Sequence, residues 1–313
     1  MKKVVVIGGG TGQSALLGGL KQVPGISLKT IVTVADDGGS TGRLRCDMHL
    51  PAMGDIRSVM LALAESESVM GTLMNYRFDE NAGDLAGHNL GNIMLSALTK
   101  KTGSFIDAIS DLSRVLKVKG TVIPSTLNYV TLCAHVDDGD VIVGEHNITD
   151  AHRVVRDVFY NSEVKAYPAA LKAINEADIV VIGIGSVYTS ILPNLIIDEI
   201  REALCNTKAS IVYYCNCMTQ YGETHGYSVE KHVEVIEKHL GKKVIDAVVY
   251  SNDSIPEDIM KRYEAEHASQ VRLAEKDHPY RLYSHSLLSF DTGKIRHDAA
   301  KVRDSFIRVM EDL

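Results

Sequence analysis

Residues 4–20 read VVVIGGGTGQSALLGGL, and residues 31–45 read IVTVADDGGSTGRLR. In the first segment the apolar run 4–7 stops at glycines, and Ala15, Leu16, Leu17 and Leu20 then recur at helical spacing. That is a strand, a tight turn and a helix. Gly10-x-Gly12-x-x-Ala15 fits a dinucleotide-type fingerprint, in which glycines let backbone approach a phosphate and the next helix points free N–H groups and its positive dipole end at it. Thr11 and Ser14 add hydroxyls. In the second segment, a strand over 31–35 ends in Asp36 and Asp37 and another glycine turn. Acids at that place bond ribose hydroxyls in dinucleotide folds. No G-K-[ST] follows either turn, so this is not a P-loop.

The chain has 313 residues, 45% hydrophobic and 23% charged, with a net charge of −7. It is long enough for a large core. The acidic balance, with no extended basic stretch, argues against a nucleic-acid partner. Apolar runs fall far short of the roughly 20 residues that span a bilayer, so no membrane insertion is expected and the cytoplasm is the default. The five cysteines are scattered, and Cys215-x-Cys217 has no second pair at zinc spacing, so free thiols are expected.

Along the chain, periodicity predicts a helix over 55–74, with Asp55 as its cap or first-turn acid and Arg57 as an anion contact. His88 and Asn89 sit in a glycine-rich entry to a helix at 93–98, a pattern suited to a ligand contact. Another helix spans 104–116. Segments 121–123, 129–135, 141–145 and 153–159 are rich in strand formers, and Asp137-Asp138-Gly139-Asp140 reads as a hairpin turn; together they predict an antiparallel insertion. Alternation of strands and helices then returns: strands over 179–184, 209–214, 244–250 and 284–290, helices over 191–204, 229–240, 256–265 and from 297 onward. Five strand ends carry glycine, hydroxyl, amide or acid. In an open parallel sheet such ends share one edge, where ligands bind. The expectation is an α/β fold, an open, mainly parallel sheet with helices on both faces and a small antiparallel β insertion. Its approximate parts are 1–120, 121–160 and 161–313 within one domain.

GGGTGQS, TVADDGGSTGRLR, GDIR, LAGHNLGN, GTVIPST, IGIGSVYTSILPNL and CNCMTQYGETHGY, in that order, resemble the bacterial YvcK family of gluconeogenesis factors, related to the CofD 2-phospho-L-lactate transferase. The resemblance implies a Rossmann-like fold, a cytoplasmic protein with a role in cell shape on gluconeogenic carbon, and binding of a UDP-sugar such as UDP-N-acetylglucosamine. By position it assigns nucleotide contacts to Gly10, Thr11, Gly12, Ser14, Asp36, Asp37, Ser40, His88 and Asn89. From the second half it adds Gly185, Ser186, Tyr188, Thr189, Asn216, Gln220, Tyr263 and Arg296. The chain departs from the family's usual Gly-Pro-Gly-Ser at Ile184, and from its Pro-Gly-Glu-Thr-Asp at Tyr221 and His225.

Three functions follow. The first is a sugar-nucleotide-binding regulator without turnover, since no Ser-His-Asp order or paired-glutamate pattern is evident. It needs a protein partner in cell-envelope regulation, not identified by the sequence, and leaves homo-oligomerisation open. The second is a CofD-like transferase moving a phosphate-containing group to an acceptor hydroxyl. There Mg²⁺ on Asp36 or Asp37 is the one cofactor to consider, Arg43 or Arg57 steadies phosphates, and His88 serves as base. The third, a dinucleotide-dependent oxidoreductase, ranks last because two glycine-hydroxyl turns suit two phosphate sites.

Overall fold

The structure, a computed structural model, describes residues 1–65, 69–275 and 277–313. A seven-stranded parallel sheet runs through it. Its strands are β1 (Lys2–Gly8), β2 (Ile26–Val32) and β3 (Thr121–Pro124). A separate three-stranded sheet contributes β4 (Leu132–Val136), β5 (Val141–Val143) and β6 (Val155–Tyr160). The main sheet resumes with β7 (Ile179–Ile182), β8 (Ser210–Tyr214), β9 (Ala247–Ser251) and β10 (Arg281–His285). A short antiparallel pair, β11 (Leu288–Ser289) and β12 (Arg296–His297), precedes the last helix, Ala299–Asp312.

The strand order is β10-β9-β8-β7-β1-β2-β3. Chain direction across the sheet therefore reverses between β1 and β7. Past the exposed Lys2 and Lys3, both strands are continuous apolar runs buried to their ends, as a parallel sheet covered by helices requires. Val4, Val6, Ile7, Val180, Val181 and Ile182 are all fully buried, each worth about 1.5–3 kcal/mol in a core. The Gly10–Leu20 helix packs beside them. Gly19 lets the last helix close on it, because a Cβ there would lie 2.7 Å from the Ala299 carbonyl oxygen.

Several boundaries differ from the sequence reading. The run at 121–123 is not part of the antiparallel insertion: β3 pairs in parallel with β2 as the outer strand of the main sheet. The insertion is β4 to β6, and the acidic turn at 137–140 joins β4 to β5 as expected. The strand expected over 31–35 starts earlier and ends at Val32, where the chain leaves the sheet. The helix expected over 55–74 is two, Gly54–Leu63 and Val69–Asn75, and residues 66–68 of that expectation lie outside the described residues. The first ends because Ala64 turns to ψ 145 and bridges Val118. The helix expected over 191–204 is likewise interrupted, into a Val187–Ile191 π turn, Leu192–Leu195 and Asp198–Asn206. Residues 284–290 divide between β10 and β11. Among the described residues no helix is long and apolar enough to cross a membrane, and all five cysteines are free.

Candidate functional site

At the reversal point β1 and β7 end side by side, and a glycine turn follows each. The two turns touch. A Cβ on Gly12 would lie 2.4 Å from the Ile184 carbonyl oxygen, so only glycine allows the first helix to begin this close to the second turn. Gly10 has φ 66, a left-handed conformation that favours glycine. Its amide donates to the Asp55 carboxyl. No acid sits in the helix's first turn, and Thr11 is exposed there. Ser14 instead donates its hydroxyl to the Gly10 carbonyl, 3.1 Å away inside the helix.

A cleft of about 980 Å³ opens from this junction. Thr11, Gly12, Gly185, Ser186, Asn216, Gln220, Tyr263 and Arg296 line it. Tertiary contacts hold these walls. Asn216 donates Nδ2 to the Gly185 carbonyl at 2.7 Å, tying the end of β8 to the second turn. The Tyr263 hydroxyl accepts the Ile295 amide at 3.1 Å and brings the β11–β12 hairpin over the cleft. Ser186 accepts the Thr189 amide at 3.1 Å, capping the π turn, and donates to the buried Glu223 carboxylate. Thr149 Oγ1 donates to Glu223 from the other side at 3.5 Å. Burial pushes the Glu223 carboxyl up from its ordinary range. Arg296 is exposed, and among the described residues no carboxylate pairs with it.

The remaining expected contacts lie elsewhere. Tyr188 and Thr189 are buried beneath the second turn, Tyr188 with its hydroxyl 3.0 Å from that of Tyr227. Ser40, His88 and Asn89 are buried too and close on one another on the β2 side. The Ser40 hydroxyl accepts the Asn89 amide at 3.0 Å and lies 3.2 Å from His88 Nδ1, with Asn92 Nδ2 at 3.4 Å. Burial holds the His88 imidazole below its usual pKa. Asp37 accepts the amides of Glu145 and His146 at 3.1 and 2.9 Å, one on each carboxylate oxygen, and so caps the Glu145–Asp150 helix. The expected phosphate-steadying arginines are braces: Arg43 bonds the Ala86 carbonyl, and Arg57 bonds Met74, Asn75 and Ser58.

Behind the first glycine turn, Asp36, Asp55 and Glu145 form an acidic group. Burial, then Asp36, raises Asp55 to about 7; burial, then Asp36 and Asp55, raises Glu145 to about 8. Among the described residues no set of three or more His, Cys, Asp or Glu side chains has the arrangement of a metal cage. One or two of these carboxylates would still serve Mg²⁺, which usually keeps water and phosphate ligands.

The sequence reading missed Glu223, Thr149, Glu145 and His297; Asp55 is the first-turn acid it allowed, but its place at the first glycine turn was not foreseen. Glu145 and Thr149 belong to a short helix in the insertion, with no local pattern pointing at the glycine turns. Asp55 was in view within GDIR, yet only the fold sets its carboxyl beside Gly9 and Gly10.

The family profile described as 2-phospho-L-lactate transferase CofD matches residues 4–288. A gluconeogenesis factor of Bacillus subtilis is 40% identical over 314 residues, covering 99% of this chain and 98% of that one. A gluconeogenesis factor of Listeria innocua is 43% identical over 312 residues, covering 98% and 95%. A crystal structure of a UPF0052-family protein from Bacillus halodurans superposes with a TM-score of 0.92 at 41% identity, covering 97% of this chain and 99% of that one. With a strand order that reverses at two abutting glycine turns and relatives matched end to end, the chain belongs to the CofD family, among the gluconeogenesis factors.

Proposed function

We propose that the cleft binds a UDP-sugar such as UDP-N-acetylglucosamine, and that the protein is a cytoplasmic regulator of cell shape during growth on gluconeogenic carbon. The observation that carries this reading is Arg296. It is a cation without an acid partner among the described residues, over a cleft that starts at two glycine turns. Those features suit an anionic diphosphate. The name shared by the relatives supports the physiological half. A regulator acts through a protein partner, and the ligand's presence in the cleft is the signal.

The acidic group favours a second reading. A CofD-like transferase would use Mg²⁺ held by Asp36 and Asp55 to neutralise charge on a phosphate group lying over Gly10 and Thr11. Here this chain's residues position the phosphate and anchor the ion; His88, engaged with Ser40 away from the cleft, is not placed to be the base.

Calorimetry with UDP-N-acetylglucosamine, GDP and NAD, with and without Mg²⁺, followed by mass spectrometry of the ligand, tests both. Binding of the intact UDP-sugar supports the regulator. Mg²⁺-dependent release of a nucleotide with an acceptor present supports the transferase. No heat from UDP-N-acetylglucosamine ends the sugar-nucleotide reading.

A further inference from the structure

Four aromatic rings stand together at the mouth of the cleft. Tyr221 is 41% exposed, and its ring lies 4.6 Å from that of His267 at 32° and 5.3 Å from that of His152 at 38°, centroid to centroid. His225 meets the same phenol edge-on at 6.1 Å and 85°, with its Nδ1 3.2 Å from the His267 carbonyl oxygen. All three histidines are exposed, and Tyr221, His152 and His267 line the cleft. These are contacts between the rings themselves, so each side chain is placed by its neighbours. The imidazoles come from different parts of the chain: His152 just past the insertion's Glu145–Asp150 helix, His225 from the loop after β8, and His267 just past the Glu257–Ala265 helix. His152 and His267 both have left-handed backbone, φ 50 and 58, at helix ends where glycine is the least strained residue. The end of a helix asks for no ring there. Tyr221 is brought against His152 by Gly222, on which a Cβ would lie 2.5 Å from the His152 carbonyl carbon.

The chemistry of this rim differs from that of the glycine turns. Exposed rings present flat π faces, and a planar heterocycle stacks on such a face whatever its hydrogen-bonding pattern. A diphosphate gains nothing from the negative face of a phenol. Glu266, exposed and next to His267 in the chain, lines the cleft as well and repels a diphosphate there. A pyranose is puckered and rimmed with hydroxyls, and it matches a flat face less well than a base does. We infer that Tyr221, with His152 and His267 beside it, is the stacking platform for the base of the nucleotide, Thr11, the glycine turns and Arg296 being left to the diphosphate. This rests on the sugar-nucleotide reading and adds to it a base subsite outside the contacts that the family resemblance assigns. Tyr221 and His225 are the places where the chain departs from the family's usual Pro-Gly-Glu-Thr-Asp, so the platform is a feature of this chain.

The test compares the wild type with Tyr221→Ala, Tyr221→Phe and Tyr221→Trp by calorimetry at pH 7.5, with UDP-N-acetylglucosamine and UDP as ligands and thermal melts to confirm that each variant folds. Tyr221→Ala should weaken both ligands alike, by about 5- to 150-fold, the scale of one base–aromatic stack. Tyr221→Phe should bind both as the wild type does, because stacking needs the ring and not the hydroxyl. The chain has no tryptophan, so Tyr221→Trp carries a single reporter. Saturating UDP-N-acetylglucosamine should quench its emission, as a stacked base does. If Tyr221→Ala does not fold, the reporter decides by itself. Undiminished affinity in Tyr221→Ala, a loss confined to UDP-N-acetylglucosamine, or unquenched emission at saturation overturns the platform while the sugar-nucleotide reading stands. A wild type that gives no heat with UDP-N-acetylglucosamine overturns the reading itself, and the platform with it.

Discussion

Two groups of loops share the carboxyl edge of the sheet; one is knit largely to itself and the other borders the cleft. On the β2 side, Ser40, His88, Asn89 and Asn92 bond one another, Asp37 caps a helix, and Arg43 and Arg57 brace carbonyls, although Asn92 Oδ1 and Arg57 Nε find no partner among the described residues. Toward β8 and β9, Asn216, Gln220 and His297 hold unpaired atoms and Arg296 lacks a carboxylate. By composition the first group looks the more site-like, with its acids, glycines and histidine. Yet its side chains are spent mostly on one another, whereas the second group lines an open cleft and carries a cation that no carboxylate pairs among the described residues. Residue types do not distinguish the two; an account of each donor and acceptor does.

That contrast can be attacked directly. The largest effect is expected from Ser40→Val, which removes the centre of the network and takes a partner from His88 and from the Asn89 amide. It should cost about 2–4 kcal/mol and lower Tm by several degrees in thermal melts, with little change in ligand affinity once folded. A large affinity loss with unchanged Tm would make this network part of the site. Next, Arg296→Ala should weaken UDP-sugar binding roughly 10-fold or more by calorimetry, the scale of a charge-assisted bond, and leave Tm alone because the side chain is exposed. The opposite pattern would make Arg296 structural.

Of similar size but visible only as a pH dependence is Glu145→Gln. A carboxyl whose folded pKa is raised favours the folded state at low pH and loses that contribution as pH rises from the ordinary carboxylate range through about 8. The amide cannot ionise. The variant should therefore gain on the wild type by about 3 kcal/mol between pH 5 and pH 8 in denaturant titrations. A gap that does not widen with pH would mean Glu145 is charged throughout. Smallest is Asp37→Asn, about 0.5–1 kcal/mol for a weakened cap, read from the same titrations.

Much of the architecture was legible locally. The glycine turns, the 104–116 helix with its Ser104 cap, the acidic hairpin and the Gly241 helix end all follow from a few adjacent residues. Cleft residues in those turns, Thr11, Gly12, Gly185 and Ser186, came with them. What local pattern could not supply was pairing at a distance. A four-residue strand at 121–124 carries no sign of whether it joins β2 or the insertion, since parallel pairing is decided by register with a strand some 90 residues earlier in the chain. Likewise Asp37 shows no trace in sequence of the helix it caps more than a hundred residues away.

The sequence by itself determined the α/β alternation, the two glycine turns and the family, because backbone conformation and apolar periodicity are local properties that a run of residues states outright. Only the tertiary structure decided which polar side chains are joined and which are open. A hydrogen bond depends on where two groups meet in space, and the meeting of β1 with β7, of Asp55 with Gly10, and of the β11–β12 hairpin with Tyr263 exists only once the chain has folded.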